Sequence, residues 1–153
     1  MSVINSNIFL FLIAIFSFYL AFAGWRFAKN REGIVTIIDW IAVSLMILSG
    51  LGMWIMAIIY LINDNSQYIT LLVFGFISLA LGYRDYKGHM NKTATGKVRI
   101  AKHLTNMLAA TISVITAASV VNIDIEPIWI WWILPTAVIT PIIFYLNKKT
   151  LSS

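Results

Sequence analysis

The 153-residue sequence has no cysteine and only two histidines. Without cysteine there are no disulfides, thiolate metal sites, iron–sulfur clusters or cysteine nucleophiles. Charge is scarce too: 11% of residues are Asp, Glu, Lys or Arg, against about a quarter in a soluble domain. No long polar stretch is present that would hold a soluble catalytic domain. What the chain has in excess is apolar surface, with 60% hydrophobic residues and a mean hydropathy of +0.87. A surface of that kind needs lipid as its solvent, so the composition points to an integral membrane protein.

The net charge of +5 would suggest nucleic acid in a soluble chain, but the basic residues sit in short connections between apolar runs, and no nucleic-acid partner is expected. A span needs about 20 apolar residues. Five runs come close to that: 7–25, 36–62, 68–83 (short, but bracketed by Tyr68 and Tyr83), 103–122 and 128–146. Arg26, Lys29 and Arg31 follow the first run, and six cations from Arg84 to Lys102 follow the third. Lys148 and Lys149 follow the fifth, whereas "NDNSQ" (63–67) and "IDIEP" (123–127) hold none. The positive-inside rule then gives an all-α bundle of five membrane-spanning helices, N-outside and C-inside, in one domain over 1–153. A bacterial inner membrane is the expected location. "AFA" (21–23) imitates a cleavage site, but the charges follow the apolar run instead of preceding it, so the first helix reads as a retained anchor. "NKT" (91–93) matches a glycosylation acceptor on the expected cytoplasmic side and is discarded.

Two segments, "FSFYLAFAGWRFAK" (16–29) and "FGFISLALGYRDYK" (74–87), share Phe, Phe, Gly, an aromatic, Arg and Lys in one register. They are either a parallel repeat or the ordinary ending of an inward-running helix. In the fourth span Asn106, Ala109, Ala110, Ser113, Thr116 and Ala117 recur at helical spacing, as in a packing face or a polar solute path. Arg26, Asp39, Arg84, Asp85, His103 and Asn106 are expected to gather at the inner face. Asp39 there needs a partner, with Arg26, Arg84 and His103 the candidates. Pro135 and Pro141 are expected to kink the fifth helix, with Thr136 and Thr140 re-satisfying freed carbonyls. Trp129, Trp131 and Trp132 read as an outer aromatic belt.

His103, Met107, "AATISVITA" (109–117), "VVN" (120–122), Pro127, "WWILPT" (131–136) and "TP" (140–141) resemble the C-terminal part of an uncharacterised bacterial family of multi-pass membrane proteins. The earlier "GWR" and "GYRD" resemble it as well. Where that family more often has Gly-Arg before the Met, this chain has Thr105 and Asn106. The resemblance implies a membrane bundle and brings no activity with it.

No phosphate-cradling Gly loop, catalytic triad or zinc spacing occurs, and no acid–base–nucleophile set favours a lipid-acting enzyme. The expected role is a non-enzymatic binding, scaffold or small-solute module, in a homo-oligomer or a membrane complex. No cofactor is required by that reading. The alternative is a redox or proton-coupled subunit, with His103 and Asp39 as a proton relay or His103 as a ligand of haem b or a partner of quinone. His89, in "YKGHMNKTATGK", reads as a solvated loop residue, and Met107 lies one turn from His103, where it cannot complete a haem.

Overall fold

The computed structural model describes residues 3–123 and 125–152; Asp124, one of the acids of the fourth connection, lies outside them. Five helices follow one another: α1 (Val3–Lys29), α2 (Ile37–Ile62), α3 (Tyr68–Met90), α4 (Gly96–Asn122) and α5 (Trp129–Ser152). Each contains a segment long and apolar enough to cross a membrane, and no strand occurs among the described residues. The protein is an all-helical, multi-pass bundle.

The helices outrun the spans expected from hydropathy. The polar stretch 84–102 is mostly helix: α3 continues through Arg84, Asp85 and His89, and α4 begins seven residues before His103. Only 91–95 remain as a connection. Charge does not stop a helix; its capping does. At the end of α3 the Thr93 N–H donates to the Gly88 carbonyl (3.1 Å), and Lys92 takes φ 49°. That is a Schellman ending with Lys, not the usual Gly, in the left-handed position, so no glycine marked it. α2 ends the same way, with Asn65 N–H on the Tyr60 carbonyl (2.9 Å) and Asp64 at φ 52°. α5 remains helical across both Pro135 and Pro141.

Short connections make α2–α3 and α4–α5 antiparallel hairpins. α1 packs against α2 on one side and α4 on the other, and α3 meets α5 only lightly. In lipid, helices associate by close packing of small residues and by hydrogen bonds, not by hydrophobic exclusion. The α2–α3 seam is built that way. A Cβ on Gly50 would lie 3.1 Å from Ser78 Oγ, one on Gly82 would lie 2.8 Å from Ile47 Cγ1, and one on Gly75 would collide with the Trp54 ring. Ser49 and Ser78 both donate to the Met46 carbonyl, at 2.9 and 2.8 Å.

An aromatic cluster ties α1, α2, α3 and α5 together away from the basic end. Phe9 stacks on Tyr60 and meets Trp132 edge-on (5.1 Å between centroids), while Phe74 meets Phe16 and Trp132. Trp132 is therefore core and not part of an outer belt. Its neighbour Trp131 does face the connection, donating Nε1–H to the Ile125 carbonyl at 2.9 Å. Outward residues of α2 such as Ile37, Leu48, Ile55 and Ile62 are exposed. Such an apolar outer face suits lipid and would be untenable in water.

Candidate functional site

All 11 cations belong to the ends of α1, α3 and α5, the starts of α4, or the short connections beside them. Direct bonds hold these termini together as one basic end. Arg99 Nη1, for example, donates to the Phe27 and Ala28 carbonyls at 2.7 and 2.8 Å, capping α1 from α4.

The six residues expected to form one inner cluster divide among three separate units. The first joins Arg26 to Asp39: Nε donates to Oδ1 at 2.7 Å and Nη2 to Oδ2 at 2.6 Å, a bidentate pair. Asp39 is the third residue of α2, and its Oδ2 also accepts from the Thr36 N–H and hydroxyl, both at 2.8 Å. The carboxylate is thus a helix cap as well as a counter-ion. Neither Arg84 nor His103 bonds to it.

The second unit centres on Asp85, which is fully buried. Tyr19 Oη–H donates to Oδ2 and Lys102 Nζ to Oδ1, each at 2.8 Å. Lys102 is buried along the Phe27 ring (5.0 Å) and passes through the space left by Gly88, where a Cβ would collide with Nζ. Arg84 Nε stands 3.8 Å from Oδ1, beyond hydrogen-bond reach. Tyr19 and Lys102 were not among the expected site residues. The early start of α4 is what turns Lys102 from a loop cation into a helical one buried in the bundle.

The third unit is the crossing of α1 and α4 at Gly24. His103 Nδ1 lies 2.8 Å from the Gly24 carbonyl. A carbonyl only accepts, so Nδ1 carries the hydrogen. Asn106 and Met107, three and four residues on, close over the same glycine: a Cβ there would lie 3.4 Å from Asn106 Cβ and 2.7 Å from Met107 Sδ. His103 therefore sits two turns inside α4 rather than at its start, and it locks a helix crossing. Nor is His89 a solvated loop residue. It is half-buried in the last turns of α3, its ring against Trp40 (5.6 Å) and Phe27 (6.4 Å). The two histidines are engaged on different neighbours. Among the described residues no group of three or more His, Asp or Glu is placed to hold a metal ion.

The inward line of α4 runs through Thr105, Asn106, Ala109, Ile112 and Thr116, with Ala110 packed on the core. Ala117 is exposed, off the face to which its spacing assigned it. Ile112 takes the inward position, which turns the helix away from Ala117. Ser113 is half-buried and donates to its own helix at the Ala109 carbonyl (3.3 Å).

Where α3 and α5 fail to close on each other there is a lateral groove of about 350 Å³, floored by Phe16 and lined by Phe74, Ile77, Ala109, Ile112 and Ile143. Thr136 and Thr140 face into it, and exposed Phe76 and Phe144 form its lips. Its basic end is polar: Arg84, Thr105 and Asn147 line both this groove and an adjoining recess of about 330 Å³ that also contains Lys87, Asn91 and Lys102. Asn147 Nδ2 donates to Thr105 Oγ1 at 2.7 Å. Asn147 Oδ1, Arg84 Nε and Arg84 Nη2 are buried with no hydrogen-bond partner among the described residues. Apolar walls leading to a few convergent polar groups are the usual construction of a ligand site. Sequence spacing gave no sign of this groove, because it is made by the gap between two helices distant in the chain.

No family model matches the chain, and no curated protein or solved structure shows significant similarity to it.

Proposed function

We propose that this chain is a non-enzymatic binding module of a bacterial inner membrane, oriented N-outside and C-inside, that takes an elongated apolar molecule from the bilayer into the α3–α4–α5 groove. The observation that carries the reading is the groove itself, apolar along its length, open sideways where α3 and α5 part, and polar at one end. The gathering of the cations at one end supports the orientation. The small residues of α4 serve the packing beside the groove.

Native mass spectrometry of the protein released from lipid nanodiscs tests this. The expected result is retained lipid adducts, lost in Ala80→Trp, which places an indole on the groove wall at an exposed position. A wild-type protein without adducts, or a well-folded Ala80→Trp that keeps them, overturns it.

The redox reading, with haem or a quinone, is supported by one observation: the His103 Nδ1–H is fixed by a carbonyl, as in ligating imidazoles. It expects a Soret band, sharpened on reduction and absent in His103→Ala. A colourless protein expressed with ample haem removes the haem branch.

A further inference from the structure

Resting on the groove reading above, we infer that the occupant is an anionic phospholipid, its phosphate held by Arg84 and Lys87 in the basic recess and an acyl chain lying in the groove. Arg84 is the centre of the argument. Its neighbour Asp85 is already engaged by Lys102 and Tyr19 at 2.8 Å each, and Arg84 Nε stays at 3.8 Å. Arg84 Nε and Nη2 are nevertheless buried, and they donate to nothing among the described residues. The Arg84 side chain is 40% exposed, but the N–H groups of this one edge, Nε and Nη2, are closed off and need acceptor oxygens, and a phosphodiester presents two in matching geometry. Lys87, one turn further along α3, holds its ammonium 4.9 Å over the Tyr83 ring at the same end. The recess carries Arg84, Lys87 and Lys102, with Asp85 as the carboxylate beside them, so positive charge is left over.

The two related helix endings make the same point. Arg26 and Arg84 occupy equivalent places in "GWR" and "GYR", 58 residues apart. Arg26 meets the Asp39 carboxylate at the start of the next helix. Carried along by the same offset, the position of Asp39 is Lys97, at the start of α4. By sequence offset the second arginine has a lysine where the first has its aspartate, and Arg84 Nε and Nη2 meet no acceptor among the described residues, so that edge is left for an acceptor from outside the chain. Basic pockets between membrane helices receive anionic head groups in this way. Asn147 Oδ1, buried beside Arg84 and without a donor among the described residues, suits a head-group hydroxyl. A free phosphate would satisfy the cations and leave the apolar groove unfilled, which selects a lipid.

The experiment is native mass spectrometry from nanodiscs containing equal phosphatidylglycerol and phosphatidylcholine. The wild type is expected to retain phosphatidylglycerol in preference by about tenfold, the scale of one charge-assisted hydrogen-bonded pair. Arg84→Gln is expected to bring the two lipids to parity with total adducts unchanged, and Lys87→Gln to reduce the preference part-way. Equal retention of both lipids by the wild type, or a folded Arg84→Gln that keeps the preference, overturns the head-group assignment and leaves the groove reading standing. A wild type with no adduct of either lipid overturns both. Should Arg84→Gln misfold, the exposed Lys87→Gln decides, and an unchanged preference there overturns the assignment. In detergent without lipid, inorganic phosphate is expected to leave the melting temperature unmoved. An Arg84-dependent rise would make a free anion the ligand and overturn the lipid.

Discussion

Lys102 does more for this fold than the histidine beside it. It is the cation for a carboxylate that is fully buried, and Gly88 is there to let it through. Removing one partner of such a pair strands the other, at a cost of about 3–5 kcal/mol. Lys102→Met is therefore expected to be strongly destabilising in detergent unfolding, and the double variant Lys102→Met/Asp85→Asn to recover much of the loss. A Lys102→Met protein as stable as wild type would sink this account. Tyr19→Phe removes one hydrogen bond to the same carboxylate and should cost less, about 0.6–1.7 kcal/mol for an intramembrane bond. The sequence told us that Asp85 and Lys102 lie near a helix end, but it could not join them to Tyr19. That residue is 66 positions from Asp85, and no local pattern announces the bond. Asp39 was more legible, since Thr36 three residues ahead of it writes a helix start and Arg26 ends the preceding span.

Among the helices, tight packing is concentrated at the α2–α3 seam and at Gly24, while the α4 face singled out by its alanines is only partly enclosed. Overpacking a tight contact typically costs about 1–3 kcal/mol. Gly75→Leu, which drives into Trp54, should fall in that range, and Ala117→Leu, on the exposed side of α4, should change little. Equal melting temperatures for the two would contradict the seam described above. Ala109→Leu should reduce groove volume and lower lipid retention more than stability, because Ala109 lines the groove. The seam was readable in principle: Gly75, Ser78 and Gly82 fall at helical spacing within the very segment noticed for its likeness to α1. The helix ends were harder, since Asp64 and Lys92 stand where glycine would have signalled a stop.

At the scale of the whole molecule, the five spans and the single-ended charge could be read from hydropathy and Lys/Arg placement alone, because both are set by the bilayer itself. The groove could not, being a gap between helices rather than a property of either. The proposed orientation has a direct check, made easy by the missing cysteines. Ser66→Cys is expected to react with an impermeant maleimide added to intact spheroplasts, and Thr95→Cys only after permeabilisation; the reverse pattern would invert the topology. The reach of Asp85 to a cation on the following helix also orders the protein's birth. Arg26 and Asp39 are 13 residues apart and can meet as soon as α2 enters the membrane. Asp85 must wait for Lys102 to leave the ribosome 17 residues later. Until then the carboxylate has the Tyr19 hydroxyl and, 3.8 Å away, Arg84, but lacks the cation that bonds to it in the finished fold. The Asp85 site is therefore assembled from both directions along the chain, from Tyr19 made long before it and Lys102 made just after, and it closes only once the start of α4 has been synthesised.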